Sequence, residues 1–133
     1  MSTLIFVNLP VSDLERSKSF YLALGFEINP QFTDENAACI VISDTIFAML
    51  LVKPFFSRFT SKEIADTSTT VAAINALSAD SREDVDALAD KAIAAGGTQT
   101  NEPQDLGFMY SRSFQDPDGN MWETFWMDPA HVQ

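Results

Sequence analysis

The feature that most constrains this chain is a repeated order of elements: strand, helix and three strands, then the same again. In the first half, Leu4 to Leu9 is a short apolar run with β-branched residues that ends at Pro10, which predicts a strand. Ser12-Asp13 is a helix-capping pair, and Leu14, Ser17, Phe20, Tyr21 and Leu24 recur at three-and-four spacing. An amphipathic helix is therefore expected from Asp13 to Leu24, stopped by Gly25. Strands are expected at Phe26 to Asn29, Ala37 to Ser43 and Ile46 to Val52, with Asp44-Thr45 turning between the last two.

The second half follows the same plan. Val71 to Ala79 predicts a strand, and Ser81-Arg82-Glu83 caps a helix with Val85, Leu88, Ala89 and Ala92 on one face, ended by Gly96-Gly97. Strands follow at Thr98 to Thr100, Met109 to Gln115 and Met121 to Met127, the last two joined by Asp116-Pro117-Asp118-Gly119. Identity between the halves is slight; the shared order of elements is the signal. The fold class is α+β, with two βαβββ modules in tandem: module one 1–53, connector 54–70, module two 71–128, tail 129–133. In the connector, Pro54, Phe55, Phe56 and Phe59 stand among small polar residues, and one short helix is expected around Ser61 to Ala65. Three phenylalanines are too many for a free linker, so the connector should pack back onto the sheet or onto a partner chain.

Charge narrows the partners. Against 19 Asp and Glu there are 8 Lys and Arg, a net charge of -11 over 133 residues. Such a field repels a phosphate backbone, so nucleic acid and anionic membrane surfaces are disfavoured and neither is expected as a partner, while cationic or neutral small molecules stay open. Cys39, the single cysteine, lies in the apolar run Ala37 to Ile42 and reads as a buried core residue rather than a reactive thiol. Leu4 to Val7 is too short for a signal-peptide core and lacks basic residues before it, and no apolar stretch approaches a membrane span. A cytoplasmic protein is expected.

The segments Val7-Asn8-Leu9-Pro10-Val11-Ser12-Asp13-Leu14-Glu15-Arg16-Ser17, Phe20-Tyr21, Leu24-Gly25-Phe26, Ala76-Leu77-Ser78 and Phe114-Gln115-Asp116-Pro117-Asp118-Gly119-Asn120-Met121-Trp122-Glu123 carry a family resemblance. Together with the duplication, they resemble the vicinal-oxygen-chelate superfamily of glyoxalase I, bleomycin-resistance proteins and extradiol dioxygenases. Gly107-Phe108-Met109-Tyr110 and Trp126-Met127-Asp128 look most like the branch labelled predicted lactoylglutathione lyase. The resemblance implies paired modules whose mixed sheets curl around a cup, commonly in a homodimer.

It also implies a metal site of four side chains: a His, occasionally a Gln, on each module's first strand, and a carboxylate late in each module. Such a Lewis-acidic ion would hold substrate oxygens and stabilise an enediolate. Carried onto this chain, the first-strand positions fall on Phe6 and Ile74, and the first carboxylate falls near Met49 or Leu51, on a strand without an acid. The second carboxylate falls on Glu123. A one-residue shift brings in Asn8 or Asn75, whose amides are poor replacements for imidazole. The lone His131, beyond Pro129, reads as a solvated tail residue. No metal site is expected, since only Glu123 matches a family ligand position, and no cofactor is expected.

If residues 116–119 form the hairpin loop, Arg112 faces Glu123, and Tyr110, Arg112, Phe114, Met121, Glu123 and Phe125 share the face lining the cup. Arg112 would then neutralise Glu123 where a metal once did, unless it pairs instead with Asp116 or Asp105 at the rim. By the same parity Phe6, Asn8, Phe47, Met49, Ile74 and Ala76 face the cup, Phe108 and Tyr110 stand at its mouth, and Trp122 and Trp126 lie on the opposite face.

The leading reading is a metal-free small-molecule binding protein, probed first at Phe6, Asn8, Phe47, Met49, Ile74, Phe108, Tyr110, Arg112, Phe114, Glu123 and Phe125. A cationic aromatic ligand would suit the charge. Other readings are a metal-dependent lactoylglutathione lyase or extradiol dioxygenase using Glu123 with zinc, nickel, iron or manganese, a metal-free enzyme with Glu123 or Tyr110 as acid or base, and a packed cup with a dimer surface at Phe55, Phe56 and Phe59.

Overall fold

A computed structural model describes residues 2–131. The chain divides into two compact units, Met1–Asp66 and Thr67–Gln133. In unit 1, β1 (Ile5–Val11), β2 (Glu27–Asn29), β3 (Ala37–Val41) and β4 (Ile46–Val52) form one sheet in the order β1-β4-β3-β2. Strand β1 runs parallel to β4, while β4 with β3 and β3 with β2 are antiparallel. The expected first strand is lengthened to Val11 and so contains Pro10. A proline lacks the N–H that a central strand must donate, and β1, at the sheet edge, has a side where none is needed.

Helix α1 (Leu14–Ala23) begins where the capping pair predicts, the Asp13 carboxylate accepting from the Arg16 N–H at 3.1 Å. Its buried residues Leu14, Ser17, Phe20 and Tyr21 are those of the apolar stripe, and the helix packs on β3 and β4, where Ala38, Ile40, Ala48 and Leu50 are buried. The rings of Phe20 and Tyr21 meet edge to face at 4.9 Å. Each such fully buried aromatic contributes roughly 1.5–3 kcal/mol through burial. Cys39 is also fully buried, and burial pushes its thiol up, as a core residue requires.

Unit 2 repeats this plan. Strands β5 (Ile74–Ser78), β6 (Thr98–Gln99), β8 (Met109–Gln115) and β9 (Met121–Met127) run in the order β5-β9-β8-β6, and the additional β7 (Gln104–Asp105) pairs with β8. Again the first strand is parallel to the last, β5 to β9. Helix α3 (Arg82–Ala94) is capped by Ser81, whose hydroxyl accepts from the Asp84 N–H at 3.1 Å. It buries Val85, Ala89 and Ala92 over Phe114 and Trp122.

Two expectations need correction. No helix forms at 61–65; the helical turn comes earlier, as α2 (Lys53–Phe56) followed by a 3-10 turn at Ser57–Phe59. Pro54 explains this, because a proline in the first turn of a helix lacks only an N–H that would be unpaired there anyway. Phe55 and Phe56 do pack back, α2 lying on β1 and β4, while Phe59 stays exposed.

The second correction concerns the β8–β9 hairpin. The Asp116 N–H donates to the Asn120 carbonyl at 3.0 Å, and the Asp116 carboxylate accepts from the backbone N–H of Asp118 and of Asn120 at 2.9 Å and from the Asn120 side-chain amide at 3.0 Å. Asp116 and Asn120 thus close a three-residue loop with Gly119 at φ +90°. Gln115 faces Met121 rather than Asn120, and Arg112 faces Thr124 rather than Glu123. A one-residue slip moves side chains to the other face. Tyr110, Arg112 and Phe114 therefore lie opposite Glu123 and Phe125, with Trp122 and Trp126.

No helix among the described residues is long and apolar enough to cross a membrane. Two glycines with similar backbones separate conformational strain from crowding. A Cβ on Gly25 (φ +100°) would meet nothing within 4 Å, whereas one on Gly119 would lie 2.1 Å from the Thr67 carbonyl oxygen, beside the hydrogen bond from the Thr67 hydroxyl to the Asp118 carbonyl. Gly25→Ala should therefore cost about 1 kcal/mol by chemical denaturation, from the dihedral alone. Gly119→Ala should cost about 2–4 kcal/mol. Equal costs would show that the 67–70 segment does not hold this turn.

Candidate functional site

In unit 1 the face of the sheet away from α1 is only partly covered: Phe6 and Asn8 are exposed, whereas Cys39, Leu51 and Ala37 are buried. Register aligns Cys39, Met49 and Asn8 in one row, Ala37, Leu51 and Pro10 in the next, and Val41, Phe47 and Phe6 on the other side. Phe6 and Phe47 stack at 4.7 Å with their planes 11° apart. The expected set Phe6, Asn8, Phe47 and Met49 thus shares one face.

Two elements rise from that face and make a cleft. The 3-10 turn Pro30–Phe32 packs over β3, and α2 with the turn after it packs over β1 and β4. Between them lies a space of about 500 Å³ lined by Asn8, Gln31, Phe32, Thr33, Asp34, Ala37, Met49, Leu51, Phe55 and Phe59. A second recess of about 300 Å³ shares Asn8, Leu51 and Phe59 and adds Phe56 and Thr60. Phe55 and Phe59 meet edge to face at 5.3 Å. Phe59 is 69% exposed and Phe32 57%, so two rings stand free to cover a bound molecule.

The Phe32 wall is held by the backbone beneath it. Asn29 accepts from the Gln31 N–H at 3.0 Å through its side chain, and its carbonyl accepts from the Thr33 hydroxyl at 2.8 Å. That hydroxyl in turn accepts from the Cys39 N–H on β3 at 3.1 Å. Asp34 is occupied by the N–H groups of Asn36 and Ala37, at 2.8 and 3.1 Å. Asn8 donates to the Phe6 carbonyl at 3.3 Å and keeps its amide oxygen. The cleft therefore offers aromatic walls with the amides of Asn8 and Gln31, a set suited to holding and orienting a molecule. Sequence reasoning named Asn8 and Met49 but missed Gln31, Phe32 and Asp34, which sit in a segment without strand or helix periodicity. The connector phenylalanines were the available signal.

In unit 2 the corresponding open face carries Ile74, Ala76, Met121, Glu123 and Phe125, with Glu123 between Ala76 and Ser113. Arg112 does not reach it. Its guanidinium, on the α3 side, donates to Asp90 at 2.8 Å, Asp86 at 3.2 Å and Gln99 at 3.4 Å. Burial opposes that charge, yet the bonds to Asp90 and Asp86 outweigh it and hold the group above its ordinary value. Neither Asp116 nor Asp105 is its partner in the expected rim pairing; Asp105 belongs to Arg82. The Tyr110 hydroxyl donates to Asp86 at 2.6 Å, and that bond, with burial, raises its pKa. Phe108 stacks on His131 at 4.0 Å. These contacts tie α3 and the chain end to the sheet.

The superfamily's metal does not fit these residues. Each module would have to present two donors. Unit 1 presents Phe6, Met49 and Leu51 at those positions, and unit 2 presents Ile74 and Glu123. No group of three His, Cys, Asp or Glu side chains among the described residues could hold an ion. Hydrocarbon and thioether groups offer a hard divalent cation nothing.

Arg82 binds Asp105 through two parallel bonds of 2.9 and 3.0 Å while lying 5.3 Å from the Tyr110 ring and 5.1 Å from the Trp126 ring. The Arg82 bonds, reinforced by the Gly107 N–H, lower Asp105 from 3.8 to about 2. Its folded value is below its unfolded one, so the pair stabilises the fold above about pH 4 and is lost as pH falls toward 2. Carboxyl NMR should find Asp105 titrating near 2, and Arg82→Met should return it most of the way to 3.8. An unchanged midpoint in the variant would show that Arg82 is not the cause.

Residues 3–43 match the family described as bleomycin resistance protein-like N-terminal. Sequence comparison with curated proteins finds no significant match. Among solved structures, a hypothetical protein from S. aureus is 28% identical, over 95% of this chain and 94% of that one, with a TM-score of 0.79. A glyoxalase/bleomycin resistance protein/dioxygenase family enzyme from Burkholderia phytofirmans is 19% identical over 95% and 99%, also at 0.79. An antibiotic binding protein from Streptomyces is 20% identical over 96% and 97%, at 0.66. With its duplicated modules and its matching first segment, the chain is similar to bleomycin-resistance-like proteins over residues 3–43 and shares the fold of the glyoxalase/bleomycin resistance/dioxygenase structures over nearly its whole length.

Proposed function

We propose that the protein binds a small aromatic or otherwise apolar molecule in the unit 1 cleft, and does so without a catalytic metal ion. The observation that carries this is the cleft itself: about 500 Å³, walled by Phe32, Phe55 and Phe59, floored by Met49 and Leu51, with Asn8 and Gln31 as polar points. Aromatic walls with a few polar anchors are the usual makeup of a small-molecule site. The fold shared with an antibiotic binding protein is consistent with it. The metal-ligand positions that have become Phe6, Met49, Leu51 and Ile74 argue for an eroded metal site rather than a lactoylglutathione lyase or dioxygenase. Tyr110, whose hydroxyl proton is held on Asp86, is a poor acid or base at neutral pH. This reading takes the protein to be a cytoplasmic homodimer, as the superfamily resemblance implies; sedimentation at the mass of one chain would remove the dimer.

Aromatic compounds that raise the melting temperature should shift the NMR signals of the Asn8 and Gln31 side-chain amides. Phe59→Ala should weaken them about tenfold, as loss of one ring contact of roughly 1–1.5 kcal/mol implies. Hits that leave those amides unmoved, or that ignore the substitution, would place binding elsewhere. Elemental analysis after incubation with zinc, nickel, manganese or anaerobic ferrous iron should find far less than one ion per chain. Retention near one per chain would instead favour the lyase or dioxygenase reading through Glu123.

A further inference from the structure

The chain's charge is distributed unevenly around this cleft. Residues 53–62 hold three of its eight basic residues, Lys53, Arg58 and Lys62, and no acid. This is the segment that supplies Phe55, Phe56 and Phe59 to the cleft walls. All three basic residues are exposed, and none forms an ion pair among the described residues, whereas Lys18, Arg82 and Arg112 each pair with an acid. The Arg58 guanidinium lies 5.7 Å from the centroid of the Phe55 ring, itself a cleft wall. On the other side of the cleft, over β3, stands Asp34.

We infer that the ligand is an aromatic molecule bearing an anionic group, seated with its rings against Phe55 and Phe59 and its anion toward Arg58 and Lys53. This rests on the reading of the cleft as a ligand site and deepens it. The net charge of -11 repels an anion at long range, but the exposed, unpaired cations gathered in residues 53–62 attract one at contact distance, where they outweigh the screened field of the distant acids. Arg58 already lies over an aromatic face, and an arginine in that position can stack on a second ring while directing N–H groups at a carboxylate or sulfonate. Asp34 would repel an anion placed the other way round, which sets the ligand's direction. The whole-chain charge favours a cation; the local charge, which acts at contact distance within a Debye length, favours an anion.

The test uses three ligands of one shape on the full-length protein: naphthoate, the neutral naphthalene methanol and cationic naphthylmethylammonium, each titrated by calorimetry and by NMR at low and high salt. Naphthoate should bind roughly three- to tenfold tighter than the alcohol and lose that margin at high salt. Arg58→Gln should cost naphthoate several-fold more than it costs the alcohol, with the largest NMR shifts at residues 53–60 and at Gln31. Equal affinity for all three, or tighter binding of the ammonium compound, would overturn the anion preference while leaving the cleft as a site. Failure of all three to bind would remove the cleft and this inference together.

Discussion

The register of β8 on β9, and with it the packing of unit 2, depends on one closing pair, Asp116 with Asn120. Their backbone bond ends the β8–β9 ladder, and the Asp116 carboxylate holds the three-residue loop by accepting from Asp118 and Asn120. Strand side chains alternate, so this pair decides which residues meet α3 and which meet the open face. It buries Phe114 and Trp122 beneath Val85 and Ala89, turns Arg112 to Asp86 and Asp90, and leaves Glu123 on the other side. Arg112 is thereby a structural tie, its guanidinium largely buried and compensated by two carboxylates, without which the charge would be costly to bury.

Unit 1 solves the same problem with a different outcome. Its helix face is closed by Phe20, Tyr21 and Leu24, while the opposite face is roofed only in part, by the turn at Pro30–Phe32 and by α2. The two roofs leave the cleft between them. The duplication therefore supplies two similar frameworks, and the roofs of unit 1 come from the loop after β2, inside the repeat, and from the connector after β4, outside it. A scaffold that keeps its sheet and varies its roof can change ligands without changing fold.

Aromatic surface and charge work at different ranges in this cleft. For a molecule in the proposed site, Phe32 and Phe59 would supply contact area at van der Waals distance, and the Asn8 and Gln31 amides would set orientation. In the proposed site the exposed Lys53 and Arg58, the latter 5.7 Å from the Phe55 ring centre, would act at longer range, where salt screens them. The acidity of the whole chain, which disfavours nucleic acid as a partner, says little about a site whose nearest segment is basic.

Much of this was legible in the sequence. The order of elements, both helix caps, the buried stripe of α1 and the shared face of Phe6, Asn8, Phe47 and Met49 follow from three-and-four and two-residue periodicities, because those depend on neighbours along the chain. That Phe6 and Ile74 offer no metal-donor atoms is likewise legible, being a matter of residue identity. What tertiary structure alone decided is the register of β8 on β9, and with it the parting of Arg112 from Glu123. It also decided that the 31–34 and 55–59 segments face each other over Met49 and Leu51. Both outcomes depend on hydrogen bonds and packing between residues distant in sequence or inside an aperiodic loop, and no local period records them.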